Sequence, residues 1–65
     1  MQKEIGQRIR QLRGEESQTQ LAKELGINKS SLAMYERGER TPRDEVKVRI
    51  ANRFGLTVGE LFFDS

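Results

Sequence analysis

Between Leu21 and Tyr35 the apolar pattern of one helix stops at a glycine and restarts beyond it in a new phase. Leu21, Ala22 and Leu25 fall at i, i+1 and i+4, a single stripe on a helix of about two turns. Gly26 enters the left-handed backbone region without a Cβ penalty, so the spacing predicts a helix end and a sharp corner there. Ile27 restarts the pattern, and Leu32 and Tyr35 continue it at helical spacing. Asn28 reads as the N-cap of this second helix, which makes Ile27 and Leu32 the N′ and N4 residues of a hydrophobic staple. The corner is thus specified from both sides. Two helices joined so tightly must cross closely, and Ala22 supplies the small side chain that lets them approach.

The second helix divides into an inward face, Leu32 and Tyr35, and an outward face of Lys29, Ser30, Ala33, Met34 and Arg37. The outward face carries a cation at each end with small and apolar residues between. A helix that merely faces solvent is richer in Glu and Lys pairs.

These residues resemble the helix-turn-helix DNA-binding domain of the phage repressor and Cro type, found in many bacterial transcription regulators. The matching positions are Gln18, Leu21-Ala22, Gly26-Ile27, Leu32, Glu36-Arg37-Gly38 and Pro42, then Ile50-Ala51, Phe54-Gly55 and Glu60-Leu61, which together span nearly the whole chain. The resemblance implies an all-α, compact five-helix domain of the lambda-repressor-like class, with the helix-turn-helix in its second and third helices. It also implies a bacterial or phage origin.

Sixty-five residues are expected to form one such domain over positions 1–65, and a core of this size supplies only about 3–5 kcal/mol of stability. Without Cys or His the chain lacks disulfides and the usual zinc ligands, so no metal and no cofactor is expected. There is no nucleophile paired with a base and no glycine-rich phosphate cradle, so no catalytic residues are assigned and an enzyme is not expected. No run approaches the roughly 20 apolar residues of a membrane span, and MQKEIGQRIR lacks the apolar core of a secretory signal, which leads to the expectation of a cytoplasmic protein with no membrane partner. The net charge of +2 is weak evidence for nucleic acid; the placement of the charges matters more.

Read in order, Ile5, Ile9 and Leu12 predict a first helix from about Lys3 to Arg13, ending at Gly14. Arg8 reads as part of a solvated basic face. Ser17 and Gln20 form a capping box that starts the next helix at Gln18. After Gly38, Thr41 reads as an N-cap, Pro42 as the first helical residue and Asp44 as completing the box. Val46, Ile50, Ala51 and Phe54 form the buried stripe of a fourth helix that stops at Gly55. Lys47 stands where many relatives carry an apolar residue, so Val48 is either more exposed or takes up part of that role, and Lys47, Arg49 and Arg53 read as a solvated face. Thr57 and Glu60, with Leu56 and Leu61 as staple, open a short fifth helix. Phe62 and Phe63 are adjacent, so one of them is either a candidate dimer contact or part of a frayed C-terminal tail.

The resemblance also assigns roles. Asn28, Lys29, Ser30, Ala33 and Met34 are the expected readers of DNA bases in the major groove: Lys29 toward guanine, Ser30 toward several bases, Ala33 or Met34 toward a thymine methyl. Asn28 can pair with adenine, although a capping side chain has its oxygen occupied. Gln18, Arg37, Arg40 and Arg43 are the expected backbone contacts, with Arg43 after Pro42 also resembling an arginine placed against a narrow minor groove. Family members often pair an arginine at the end of the first helix with a glutamate late in the third, here Arg13 and Glu36; the connection GEESQ is shorter than the family's usual one, which puts that pairing at issue. The implied function is sequence-specific binding of double-stranded DNA as a transcriptional repressor, acting as a homodimer on a near-palindromic operator with no small-molecule effector. The alternative is an antitoxin-like protein-interaction module that also binds its own promoter.

Overall fold

The computed structural model describes residues 2–63, and the side chains of residues 4–62. Among these residues the chain forms four α-helices and one π-type turn, with no strand: α1 (Gln2–Arg13), α2 (Gln18–Leu25), α3 (Lys29–Arg37), α4 (Asp44–Arg53) and α5 (Gly59–Phe63). The predicted helix-turn-helix is α2 and α3. Its corner closes as expected: Gly26 has φ 72°, its N–H donates to the carbonyl of Lys23, and Ile27 N–H donates back to that of Ala22, which satisfies carbonyls that a helix end leaves open.

The core joins all five elements through Ile9, Leu21, Leu25, Leu32, Ile50 and Leu61, with Ala22, Tyr35, Val46, Ala51 and Phe62 around them. Each fully buried Leu or Ile contributes about 1.5–3 kcal/mol, so a domain this small depends on nearly every one of them. The most extensive packing is between α1 and α3. Gly6 makes it possible: a Cβ there would collide with the carbonyl oxygens of Tyr35 and Glu36 and lie 2.8 Å from the Glu36 carbonyl carbon. These are backbone atoms of α3 and have no rotamer to yield. Periodicity alone did not single Gly6 out.

That approach also corrects the reading of α1. The line facing α3 runs Gly6, Ile9, Arg13, at i, i+3 and i+7, and Leu12 lies about 100° off it on a helix of 3.6 residues per turn. Leu12 is therefore 37% exposed, outside the core, beside Arg8, Gln11, Leu56 and Glu60. Arg8 is not simply solvated either, since its Nη1 donates to the carbonyls of Glu60 (2.8 Å) and Leu61 (3.2 Å) and ties α1 to α5.

The start signals hold to different degrees. Ser17 Oγ accepts from Gln20 N–H at 3.0 Å, but the Gln20 amide reaches forward to Glu24 instead of back, so only half of that box forms. Thr57 and Glu60 complete theirs in both directions, at 2.9 and 3.0 Å. The fourth helix begins two residues later than expected. Pro42 is buried outside the helix, Arg43 is extended (φ −70°, ψ 164°), and the Arg43 carbonyl accepts the first helical bonds from Val46 and Lys47. Thr41 is thus not the cap; the proline ring is buried ahead of the helix, which opens only after Arg43, and Asp44 and Glu45 occupy the first turn, where the dipole favours them.

Of the basic residues of α4, Arg49 and Arg53 are exposed, as expected, and Lys47 is half-buried, but all three are tied to neighbours. Lys47 lies 5.5 Å over the Phe62 ring and 3.8 Å from Asp44, Arg49 donates to the Leu25 carbonyl, and Arg53 bridges Glu16 and Glu24. Val48 is exposed, the first of the two alternatives. Phe62 is buried and accounts for one of the two adjacent aromatics; the side chain of Phe63 lies outside the described residues.

Candidate nucleic-acid interface

α3 presents two faces. Leu32, Tyr35 and Glu36 are buried against the body of the domain. Lys29, Ser30, Ala33, Met34 and Arg37, the five residues read as the outward face, together line one open concavity. Lys29, Ser30 and Arg37 are exposed while Ala33 and Met34 are half-buried between them, so the surface offers donors at its edges and an apolar floor. That combination matches what a base edge presents in the major groove: acceptors on guanine and a methyl on thymine.

A second groove adjoins it, between the start of α3 and the start of α4, and Asn28, Arg40, Arg43 and Arg49 are among its lining residues, with Glu45 on its wall. Arg40 and Arg43 are exposed, and neither they nor Lys29 form an ion pair among the described residues. Arg49 is an addition to the expected set. Its Nη1 is anchored on the Leu25 carbonyl at 3.3 Å, which places a third guanidinium in the groove. Nothing local marked it, because the anchor lies 24 residues away in sequence.

Asn28 occupies the N-cap position with extended backbone, as predicted, but its side chain makes no capping bond to the backbone. Its Oδ1 accepts from the Ser31 hydroxyl at 2.9 Å instead. The oxygen is occupied, by a different donor from the one expected, and the amide N–H₂ points to no partner among the described hydrogen bonds.

Gln18 sits on the other flank and belongs to a buried network. Glu36, with a side chain only 3% exposed, accepts from Arg13 Nε at 2.8 Å, Arg13 Nη2 at 3.1 Å and Gln18 Nε2 at 3.0 Å. The Glu36 hydrogen bond raises the Arg13 pKa above its ordinary value, against the opposing effect of burial. Arg13 also donates to the Glu16 carbonyl. The short GEESQ connection therefore supports the pairing instead of displacing it, since it folds a carbonyl under the same guanidinium. The Gln18 amide keeps one N–H outside this network, at the N-terminus of α2.

Arg37 differs from the other expected backbone ligands. Its Nε and Nη2 donate to the two carboxylate oxygens of Glu39, both at 3.0 Å, on an exposed surface. The hydrogen bonds raise the Arg37 pKa and hold the Glu39 carboxyl below its usual range. No group of three or more His, Cys, Asp or Glu among the described residues is placed to hold a metal, and no helix among them is long and apolar enough to cross a membrane.

A short α2, a glycine corner, and an α3 buried on one side and open on the other define a helix-turn-helix domain. Residues 9–61 match the family model described as helix-turn-helix, and the chain belongs to that family, in its Cro/C1 type, the class of DNA-binding domains of transcription regulation. Among solved structures it is similar to the clp gene regulator ClgR from Corynebacterium glutamicum, with a TM-score of 0.81 at 19% identity, over 92% of this chain and 66% of that one. At that identity the likeness concerns the fold, and this chain spans just under two thirds of the regulator's length. The comparison with curated proteins returned no match.

Proposed function

We propose that this domain binds double-stranded DNA sequence-specifically in the cytoplasm as a transcriptional repressor, with α3 in the major groove. The observation that carries the reading is the outward face of α3: Lys29, Ser30, Ala33 and Met34 share an open concavity while the opposite face is sealed into the core. In such modules the second helix of the motif reaches base edges and neighbouring elements grip the backbone. Here Lys29 donates to guanine O6 and N7, Ser30 and the Asn28 amide pair with adjacent bases, and Ala33 or Met34 meets a thymine methyl. Gln18, Arg40 and Arg43 hold phosphates, and Arg37 reaches one only in competition with the Glu39 carboxylate. Each phosphate neutralised by an arginine steepens the fall of log K with log salt by roughly 0.9.

One domain makes few base contacts, so useful specificity calls for a homodimer on a near-palindromic site with half-sites about 34 Å apart. Selection of bound duplexes from a random pool, with sedimentation of the same complex, tests the reading. A symmetric enriched motif and two domains per duplex support it. An unenriched pool at every salt concentration removes it.

A further inference from the structure

Glu39 is an acidic residue that directly ligates a cation of the proposed DNA face. Gly38 ends α3 in a left-handed turn, with Gly38 N–H donating to the Tyr35 carbonyl and Glu39 N–H to that of Met34. That geometry brings Glu39 back beside Arg37, where its carboxylate receives both guanidinium donors at 3.0 Å. Arg37 lines the same concavity as Lys29, Ser30, Ala33 and Met34. A cation at the rim of the reading face is thus neutralised, whereas Lys29, Arg40 and Arg43 have no carboxylate ligand among the described residues.

We infer that Glu39 is a specificity-determining residue, a competitor that takes Arg37 from DNA phosphates and so holds down sequence-independent binding. This rests on the DNA-binding reading. Non-specific affinity comes almost wholly from phosphates neutralised and counterions released. A phosphate that approaches Arg37 must either displace a carboxylate already seated on both donors or accept that carboxylate's charge beside its own. Arg37 then releases fewer counterions on a random duplex than a free arginine would. Base contacts by Lys29 and Ser30 do not pass through this pair, so the damping falls hardest on binding that has only phosphates to rely on. Because a genome offers a vast excess of non-specific sites, lowering that background raises useful occupancy of the operator.

The test is a double-mutant cycle on random-sequence duplex, with salt slopes, in wild type, Glu39→Gln, Arg37→Ala and the double variant. Glu39→Gln is expected to raise random-duplex affinity by roughly tenfold at low salt and steepen the slope by about 0.9, one further phosphate. Arg37→Ala is expected to change little while Glu39 is present and to abolish the gain when Glu39 is replaced. Glu24→Gln makes the same change in net charge beside Arg53, on α2 and α4, and separates general charge from this pair; its effect is expected to be several-fold smaller. The inference is overturned if wild type binds duplex and Glu39→Gln leaves affinity and slope unchanged, if Glu24→Gln matches it, or if Arg37→Ala costs as much with Glu39 as without. Wild type that fails to bind any duplex at low salt overturns the DNA-binding reading itself, and this inference with it.

Discussion

The two faces of α3 lie a helix width apart and satisfy opposite requirements. On the inner face no fully buried side-chain polar atom among the described residues lacks a partner: Glu36 receives three N–H donors from Arg13 and Gln18, and Tyr35 and Glu36 sit with their carbonyls against Gly6. On the outer face Lys29 has no carboxylate partner among the described residues, and half-buried Ala33 and Met34 floor an open concavity. A helix under selection for stability alone would pair or solvate that surface, since exposed cations gain little alone and small residues there cover nothing. The contrast assigns folding to one side of the helix and recognition to the other, and each substitution below should register on one side only.

The largest effect is expected from Glu36→Ala. It strands Arg13 in a partly buried site, and breaking a buried pair by removing one partner costs about 3–5 kcal/mol; Arg13 retains the Glu16 carbonyl, which puts the expectation near the lower end. Denaturant unfolding reads it directly, and a loss below about 0.5 kcal/mol, the range of an ordinary surface change, would show that the inner network is not structural. Gly6→Ala comes next. Added carbon against fixed backbone should destabilise by the upper part of about 1–3 kcal/mol, despite alanine's better helix propensity. Unchanged stability would mean that α1 and α3 can separate freely. For Lys29→Ala the pattern reverses. Stability should move by less than about 0.5 kcal/mol, while binding falls by about 1–3 kcal/mol at one operator position. A uniform loss across random sequences would reassign Lys29 to the phosphate backbone.

The smallest effect is with pH. Arg53 holds the Glu24 carboxyl below its ordinary 4.5, chiefly by a direct hydrogen bond, and Arg37 does the same for Glu39. A depressed carboxyl contributes stability that is fully present above the ordinary value and lost as pH falls through the folded one. The melting temperature should therefore drift down below about pH 4.5, less so in Arg53→Ala. Both groups are exposed, so salt should mute the drift. A melting temperature that rises on acidification would contradict the assignment.

Much of this architecture was legible in the sequence because its devices are local. Gly26 as a helix end, Ser17 and Thr57 as caps, and the stripe Val46, Ile50, Ala51 each depend on residues within one or two turns. What periodicity misjudged depends on partners far along the chain. Gly6 and Arg8 meet residues 29 or more positions away, and Arg49 and Arg53 act across 24 to 37. A mid-helix glycine is itself a signal, since it costs about 1 kcal/mol against alanine and usually stays where backbones approach. Leu12 shows the converse error: it continues an apolar stripe, but the inward position belongs to charged Arg13, which only its pairing with Glu36 explains. The late start of α4 reflects burial of Pro42, a tertiary fact that overrides a plausible capping pattern.

The most direct test of the division of α3 is residue-by-residue chemical-shift mapping of the isotope-labelled domain as a duplex bearing its selected motif is added. The account predicts that residues 28–34 and 39–43 respond first and most strongly, while α5 and the Arg8–Leu12 side of α1 stay still. Perturbation centred on α1 and α5, with the outer face of α3 silent, would contradict it.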